Sequence, residues 1–253
     1  MSNNIIFYFS GTGNSLKAAR DIAAKLDSCD VVSMRNTGSL SKQYERIGFV
    51  YPTYATGLPK HVLKFIQELE LGNNQDAYVF AVTTCGGGPG NAIAMADKLL
   101  SEKGYTLSYG NHVMMFANYV GLYPMAANPK ERAEASDKVI NEIGDAVRNK
   151  EILKKFKSSA VMSLIYKAFS GTFPKKDKGF NVSDACNGCK MCANVCPVEN
   201  ITIQNNKPAF ANHCEQCMAC IQWCPKQAIN YKNKTQTHGR YHHPAIKYQD
   251  MIK

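Results

Sequence analysis

Over the first 150 positions, short runs of consecutive apolar residues alternate with longer stretches in which apolar residues recur every three or four positions. The runs are typical of strands buried on both faces of a parallel sheet, and the second pattern is typical of amphipathic helices. The runs predict strands at residues 5–10, 31–33, 47–51, 78–83 and 107–115. Because strands alternate with helices, the pattern predicts an α/β fold, a doubly wound parallel sheet with helices on both faces.

The stretches between the runs predict the helices. A second helix opens at Pro59, since proline is favoured at a helix start, and a third runs to about Leu100. A long helix is predicted over residues 129–148. Residues 150–169 have the apolar spacing of one more helix, which we expect to pack between two domains. The first helix has these apolar residues on one face: Leu16, Ala19, Ala23 and Leu26.

The loop between the first strand and the first helix reads Ser-Gly-Thr-Gly-Asn-Ser over residues 10–15. Its hydroxyls, amide and glycines stand where backbone N–H groups and a helix N-terminus meet, which is a composition suited to holding a phosphate. The dinucleotide fingerprint G-x-G-x-x-G is excluded because Leu16 occupies its third glycine position, and a Walker A loop is excluded because Gly-Lys-Ser/Thr is absent. An ordinary tight turn is the alternative.

Two further glycine-bearing loops follow the third and fourth predicted strands. In the strand order 2-1-3-4-5, both lie at the carboxyl edge of the sheet beside the first strand, where ligands bind. The three loops together resemble the phosphate loop and the two ring-holding loops of flavodoxins, and this resemblance implies FMN as the ligand. The candidate FMN-binding residues are Ser10, Thr12, Gly13, Asn14, Ser15, Pro52, Thr53, Tyr54, Ala55, Thr56, Gly57, Thr84, Cys85, Gly86, Gly87 and Gly88.

Eight of the ten cysteines lie between residues 186 and 224 and form two copies of the pattern C-x2-C-x2-C-x3-C-P, offset by 28 residues. Two-residue gaps let one tight loop direct three thiolates at three irons of a cubane, and the fourth ligand comes from elsewhere. The pattern is that of bacterial ferredoxins with two [4Fe–4S] clusters, in which the fourth cysteine of each run ligates the other cluster. The predicted ligand sets are Cys186, Cys189, Cys192 and Cys224 for the first cluster, and Cys214, Cys217, Cys220 and Cys196 for the second.

Structural zinc and disulfides are the alternatives for these cysteines. Zinc sites usually take pairs of cysteines separated by a longer spacer. Disulfides are rare in the reducing cytoplasm, which is the compartment that we expect for this protein. The two isolated cysteines are interpreted separately, Cys29 as inert and Cys85 as a small loop residue close to the flavin.

The whole chain resembles the flavodoxin–ferredoxin fusion proteins of anaerobes. The segments FYFSGTGNS, YPTYATGLP, TTCGGGPGN and the double cysteine run occur in that order. The resemblance implies a flavodoxin-like FMN-binding domain at 1–150, a basic helical connector at 151–179, a small α+β ferredoxin-like domain at 180–231 and a basic tail at 232–253. The third loop has glycines where small flavodoxins often place an aromatic, so Tyr54 is the candidate for stacking on the flavin, ahead of Tyr119.

Composition excludes several classes of protein, and the distribution of charge indicates the kind of partner. The 45% hydrophobic content excludes disorder, the N-terminus has no signal-peptide pattern, and no apolar run reaches the roughly 18 residues of a membrane helix. We therefore expect a cytoplasmic protein. The net charge of +10 lies almost entirely in residues 128–179 and 232–253, which predicts docking to an acidic redox protein or a low-potential reductase. The three tail histidines, His238, His242 and His243, are interpreted as surface or docking residues.

Two functions are consistent with these features. One is an electron carrier in which clusters, which move one electron at a time, exchange electrons with a flavin that holds one or two. The other is an FMN-dependent reductase that passes electrons to a small organic acceptor such as a quinone or an unsaturated compound. No residue is an evident proton donor or other catalytic group, which favours the carrier. Nucleic-acid binding is not expected, because no nucleic-acid motif accompanies the basic charge, and membrane attachment is disfavoured.

Overall fold

A parallel five-stranded sheet forms the centre of the N-terminal part of the chain. A computed structural model describes residues 2–35, 38–125, 129–154 and 156–252. The sheet has the order β2-β1-β3-β4-β5, and every neighbouring pair is parallel. Its strands are β1 (Asn4–Tyr8), β2 (Cys29–Ser33), β3 (Arg46–Pro52), β4 (Tyr78–Cys85) and β5 (Leu107–Met114).

The helices of this region follow the predicted alternation with the strands. They are α1 (Asn14–Ala23), α2 (Lys60–Glu68), α3 (Ala92–Glu102), α4 (Pro129–Arg148) and α5 (Ala160–Ser170). The predicted strand order and the α/β class are confirmed, and the element bounds differ from the prediction by a few residues. Ser10, for example, lies beyond the end of β1, because the chain leaves the sheet after Phe9.

The central strands are buried on both faces, as their continuous apolar runs predict. Every residue of β1 and β4 is buried. Aromatic side chains fill one side of the sheet, where the ring of Phe7 lies 5.1 Å from that of Phe65 on α2. This core fixes the carboxyl ends of β1, β3 and β4 in adjacent positions, and the three loops of interest leave from those ends.

The chain divides into two units, and their limits differ from the predicted domain boundaries. The first consists of residues 1–9, 15–116 and 128–170, and the second of residues 10–14, 117–127 and 171–253. Most of the predicted connector thus belongs to the first unit. Leu153 pairs with the edge strand β5, accepting from the Gly110 N–H at 3.1 Å and donating to the Ser108 carbonyl at 3.0 Å. Val161, Leu164 and Phe169 of α5 are exposed.

The second unit contains two short antiparallel sheets and the cysteine runs. β6 (Phe180–Val182) pairs with β9 (Ile229–Tyr231), and β7 (Ile201–Gln204) pairs with β8 (Lys207–Phe210). A 3-10 helix (Pro174–Gly179) precedes β6. The short helices of this unit are α6 (Met191–Asn194), α7 (Ala219–Gln222) and α8 (Tyr248–Met251). In the described part of the chain, no helix is long and apolar enough to span a lipid bilayer.

Candidate cofactor sites

The first cysteine run lines a small cavity that opens to solvent. Three cysteines of that run stand around it, and the fourth thiol on its wall is Cys224 of the second run. Ile203, Pro208 and Ile229 add apolar surface. The cavity therefore brings together the four residues predicted for the first cluster, Cys186, Cys189, Cys192 and Cys224.

The second cysteine run lines a separate small cavity. Its fourth thiol is Cys196 of the first run, so each run contributes its last cysteine to the cavity of the other. Phe180, Ile201 and Met218 supply the apolar wall. The second set brought together is Cys214, Cys217, Cys220 and Cys196, as the sequence predicted, and iron ligation by these eight thiols stays a prediction.

The 28-residue repeat is also seen in the backbone conformation, because residues 28 positions apart share a left-handed φ. Three pairs of equivalent residues have a positive φ: Gly188 and Gln216, Lys190 and Met218, Glu199 and Gln227. The first two pairs lie between cysteines of each run, where a left-handed residue turns the loop tightly enough to keep its thiols on one side. Five of these six residues, with φ between 48° and 65°, are neither glycine nor asparagine, and a positive φ at such residues is unusual enough to indicate a functional constraint.

Backbone amides point at the sulfurs of both cavities. The Asn200 N–H donates to Cys196 Sγ at 3.2 Å, and its repeat equivalent, the Ala228 N–H, donates to Cys224 Sγ at 3.3 Å. Cys214 Sγ accepts two hydrogen bonds from Gln216, one from the backbone at 3.2 Å and one from the side chain at 3.4 Å. Such bonds favour a thiolate and tune the potential of a cluster bound through it.

Burial opposes ionisation of these thiols when no cation is present. It raises the pKa of Cys192 and of Cys214 to about 11, and neighbouring cysteines add to the effect. Burial and adjacent sulfurs also raise the pKa of Cys217 and of Cys220 well above the usual range. Bound iron reverses this balance by supplying positive charge beside the sulfurs. The donor set thus fits a bound metal centre.

None of the ten cysteines, all of which lie in the described part of the chain, forms a disulfide, so no disulfide competes for the predicted ligands. Among the residues that the structure describes, no three His, Cys, Asp or Glu side chains are placed to share one metal ion. The cysteines of each set are arranged around a cavity.

The loop after β1 is buried and has free backbone donors. The Gly13 N–H donates to Ser10 Oγ at 3.0 Å, and Gly13 has a φ of +94°. Within the described residues, the N–H groups of Gly11 and Thr12 have no acceptor. A buried backbone N–H that lacks a partner costs free energy, and an anion at this point would satisfy two of them. The loop therefore fits a phosphate group.

The opposite side of the same loop is held by the C-terminal part of the chain. The Gly11 carbonyl accepts from Trp223 Nε1 at 3.0 Å, and the Thr12 carbonyl accepts from the His243 N–H at 2.8 Å. Asn14 Oδ1 accepts from the Tyr241 hydroxyl at 2.8 Å. A Cβ on Gly13 would lie 2.9 Å from Cβ of Ile246, so the tail packs directly on the loop.

These contacts correct the prediction that His243 is a surface or docking residue. His243 is 3% exposed and belongs to the packed part of the tail. His242 is exposed, yet its ring stacks on Trp223 with 4.2 Å between centroids. His238 Nδ1 lies 2.8 Å from the Val120 carbonyl. Most residues of the tail are polar, so the sequence did not indicate that it packs on the protein. Three of its residues are nevertheless buried and anchor it: Tyr241, Ile246 and Met251.

The loops after β3 and β4 are bonded to each other. The Thr53 N–H donates to the Thr84 carbonyl at 2.9 Å, and Thr53 Oγ1 lies 2.9 Å from Thr83 Oγ1. Tyr54 and Gly57 close a tight turn through two backbone bonds of 2.9 Å. The two residues between them, Ala55 and Thr56, both have positive φ, an uncommon conformation that is held by the surrounding bonds.

The loop after β4 leaves room for a ligand at two of its glycines. A Cβ added to Gly87 or to Gly88 would meet nothing within 4 Å. Gly90 is different, because its φ is +54° and a Cβ there would lie 2.3 Å from the Thr56 carbonyl oxygen. At the start of α1, Ser15 Oγ lies 2.8 Å from Thr84 Oγ1. The loop thus combines a tightly packed end with an open stretch.

The two aromatic candidates for flavin stacking differ in position. Tyr54 is half-buried in the loop after β3 and meets the ring of Phe9 edge-on, with centroids 6.2 Å apart. Tyr119 lies in the second unit, where its hydroxyl donates to Gln216 Oε1 at 3.1 Å. Cys85 ends β4 as a buried thiol whose pKa is raised to about 11 by burial. Pro52 is the last residue of β3.

Sequence reasoning missed several residues that hold the loop after β1. Trp223 is the single tryptophan of the chain and directly precedes Cys224. Asn118 Nδ2 donates to Thr12 Oγ1, and Gln222 both donates to the Asn118 carbonyl at 2.8 Å and accepts from the Tyr241 N–H at 2.7 Å. The one available signal was the position of a lone tryptophan beside a cysteine of the repeat.

Two family models match the chain. The model of the flavodoxin domain matches residues 5–117, and the model of the 4Fe-4S binding domain matches residues 182–202. The second match covers the first cysteine run. The chain therefore joins a flavodoxin domain to an iron–sulfur domain, and this combination defines it as a redox electron-transfer flavoprotein.

Solved structures of flavodoxins and of an azoreductase are similar to part of the chain. A flavodoxin of Fusobacterium nucleatum bound to flavin mononucleotide is 14% identical, with 60% of this chain and 99% of that chain covered and a TM-score of 0.40. An FMN-dependent NADH-azoreductase of Bacillus anthracis, in complex with FMN, is 8% identical over 58% and 99% of the two chains, with a TM-score of 0.41. The flavodoxin of Megasphaera elsdenii is 15% identical over 56% and 98%, with a TM-score of 0.35. Among curated proteins, none matches the chain.

Proposed function

We propose that this protein relays electrons between two [4Fe–4S] clusters and FMN within one chain, and on to a redox partner. The observation that carries the proposal is the grouping of the eight cysteines around two cavities, each lined by three thiols of one run and the last thiol of the other. Clusters supply one-electron steps and FMN accepts one or two electrons, so the pair converts between the two kinds of chemistry.

The residues of the chain bind and tune these groups. The eight thiols hold the two clusters, and the amides of Asn200, Gln216 and Ala228 stabilise negative charge on the sulfurs. The N–H groups of Gly11 and Thr12 bind the FMN phosphate. The loops at 52–57 and 84–90 hold the flavin ring, with the open space beside Gly87 and Gly88 available to it.

The partner we propose is an acidic redox protein that docks on exposed lysines. Lys175, Lys178, Lys232 and Lys234 are exposed in the second unit, and the Lys232 N–H bonds to the Gly179 carbonyl at 2.7 Å, which places residue 232 beside residue 178. Electron transfer to such a partner should slow as ionic strength rises. Charge reversal in Lys178→Glu/Lys232→Glu should remove most of that salt dependence.

The cofactor content tests the proposal first. Anaerobically prepared protein should hold about eight iron and eight sulfide per chain, as two four-iron clusters require. Zinc with no sulfide would overturn the iron–sulfur assignment. About four iron per chain would leave one cluster and contradict the relay through two.

Flavin selectivity tests the phosphate loop. FMN should bind far more tightly than riboflavin, because the loop donors need the phosphate. Thr12→Val and Ser15→Val should weaken FMN binding, whereas Thr202→Val, an exposed strand threonine, serves as the matched control. Equal affinity for FMN and riboflavin in the unchanged protein would refute the assignment of this loop.

A further inference from the structure

Trp223 lies between a cysteine of the first cavity and the loop after β1. It directly precedes Cys224, it is 5% exposed, and its Nε1 donates to the Gly11 carbonyl at 3.0 Å. We infer that Trp223 is a positioning residue that couples occupancy of the first cluster to binding of the FMN phosphate. The inference rests on the proposed function, since it takes FMN as the ligand of this loop.

The geometry of one peptide group explains how Trp223 acts. The Gly11 carbonyl and the Thr12 N–H belong to the same planar trans peptide, so they point in opposite directions. Because the indole holds the carbonyl, the N–H of Thr12 is directed away from Trp223. That N–H has no acceptor among the described residues. Trp223 therefore aims a free donor of the loop without contacting the phosphate itself.

The next peptide of the loop is held from the same part of the chain. The His243 N–H donates to the Thr12 carbonyl, and the Gly13 N–H of that peptide donates to Ser10 Oγ. Ile246 packs on Gly13, which has no room for a side chain. Both carbonyls thus bond to C-terminal residues, and the loop is kept in the orientation in which its amides are available to an anion.

The other end of the connection is the cysteine itself. Trp223 follows α7 directly, and its N–H donates to the Ala219 carbonyl at 2.9 Å. Cys224 Sγ accepts the Ala228 N–H and lines the first cavity. A cluster that ligates Cys224 fixes the residue next to Trp223. Loss of that cluster releases this anchor, so the indole becomes less well held against Gly11.

Coupling of this kind is reciprocal in its free energy. If the cluster improves FMN binding, bound FMN must raise the affinity of the protein for the cluster by the same factor. We expect this tighter binding to slow the loss of iron to a chelator. Riboflavin, which has no phosphate, should have neither effect through this loop. The contrast between the two flavins therefore isolates the contribution of Trp223 from general stabilisation of the fold.

The test compares Trp223→Phe with the unchanged protein, both loaded with clusters. Phenylalanine keeps an aromatic ring against His242 and removes the N–H donor. We expect FMN to bind about 3- to 10-fold more weakly to this variant, the range expected for one neutral hydrogen bond, and riboflavin to bind with unchanged affinity. Tyr105→Phe is the matched control, because it removes a hydroxyl that donates to the Gly72 carbonyl at 2.9 Å in the first unit.

The reciprocal readout is the rate at which a chelator removes iron. In the unchanged protein, FMN should slow the loss of about half of the iron and riboflavin should not. In Trp223→Phe, that protection by FMN should be reduced. A variant that keeps the full preference for FMN over riboflavin, together with iron loss that FMN does not affect, would overturn the coupling and leave the proposed function intact. Failure of the unchanged protein to prefer FMN would overturn the proposed function itself.

Discussion

The two cysteine cavities share one pattern of ligands and differ in their surroundings. The first is lined by one buried cysteine, two intermediate ones and the exposed Cys189, whereas three of the four cysteines of the second are buried. Gln216 donates to Cys214 through both its backbone and its side chain. Glycine stands at the equivalent position 188 of the first run and offers no side-chain donor.

A buried carboxylate adds to this difference. Asp177 is 2% exposed, and its Oδ2 accepts from Asn212 N at 2.8 Å and from Asn200 Nδ2 at 3.0 Å. The negative charge of Asp177 raises the pKa of Cys214, after the larger effect of burial. The comparison teaches that spacing of cysteines selects the kind of cluster, while amides, carboxylates and solvent around it set its potential.

The largest expected effect is the loss of a whole cluster, and it tests the exchange of fourth ligands. Cys196→Ser should lose the same cluster as Cys217→Ser, because both line the second cavity. Cys224→Ser should instead match Cys189→Ser. Redox titration monitored by electron paramagnetic resonance identifies the component that remains in each variant. If Cys196→Ser and Cys189→Ser lose the same cluster, the assignment of Cys196 to the second cavity is wrong.

The second effect concerns exposure to solvent. The first cluster should be attacked several-fold faster by a chelator or by ferricyanide, since Cys189 is exposed and three thiols of the other cavity are buried. Iron release should then be biphasic with two equal amplitudes. The fast phase should be absent in Cys189→Ser. A single phase, or a fast phase that survives this substitution, would show that burial of the ligands does not distinguish the two sites.

A smaller effect is expected from the buried carboxylate. Asp177→Asn should raise the reduction potential of the second cluster by roughly 50–100 mV, because removing a nearby negative charge favours the more negative reduced state. The first cluster should keep its potential. The control is Asp184→Asn, since Asp184 is fully exposed at its side chain and pairs with Lys207. Equal shifts in the two variants would argue against a specific effect of Asp177.

The smallest effect is expected from the cysteines outside the repeat. Burial raises the pKa of Cys29 to about 12 and that of Cys85 to about 11, so both are neutral thiols well above pH 7. Alkylation of cluster-loaded protein by iodoacetamide should be slow at pH 7 and should accelerate as the pH approaches 11. Cys85→Ser should leave flavin reduction unchanged. Fast modification of Cys85 at pH 7 would identify it as an activated thiol.

The sheet could be predicted from the sequence because buried parallel strands are continuous apolar runs, and the run over 78–83 gave β4 almost whole. The cysteine sets could be predicted because the repeat itself encodes them. The partners of the loop after β1 could not, since Trp223 and Gly11 are 212 positions apart and no periodicity links them. His243 was misassigned for a related reason, because its neighbours are polar although it is buried.

The central claim is that clusters and flavin exchange electrons within one chain, and flavin reduction after rapid photochemical reduction of the clusters tests it most directly. Transfer within the chain predicts that the flavin is reduced in a first-order phase whose rate does not depend on protein concentration. The phase should be lost in Cys196→Ser or in Cys224→Ser, whichever removes the cluster that donates to the flavin. A rate that rises in proportion to protein concentration would mean that electrons pass between molecules, and it would contradict the relay.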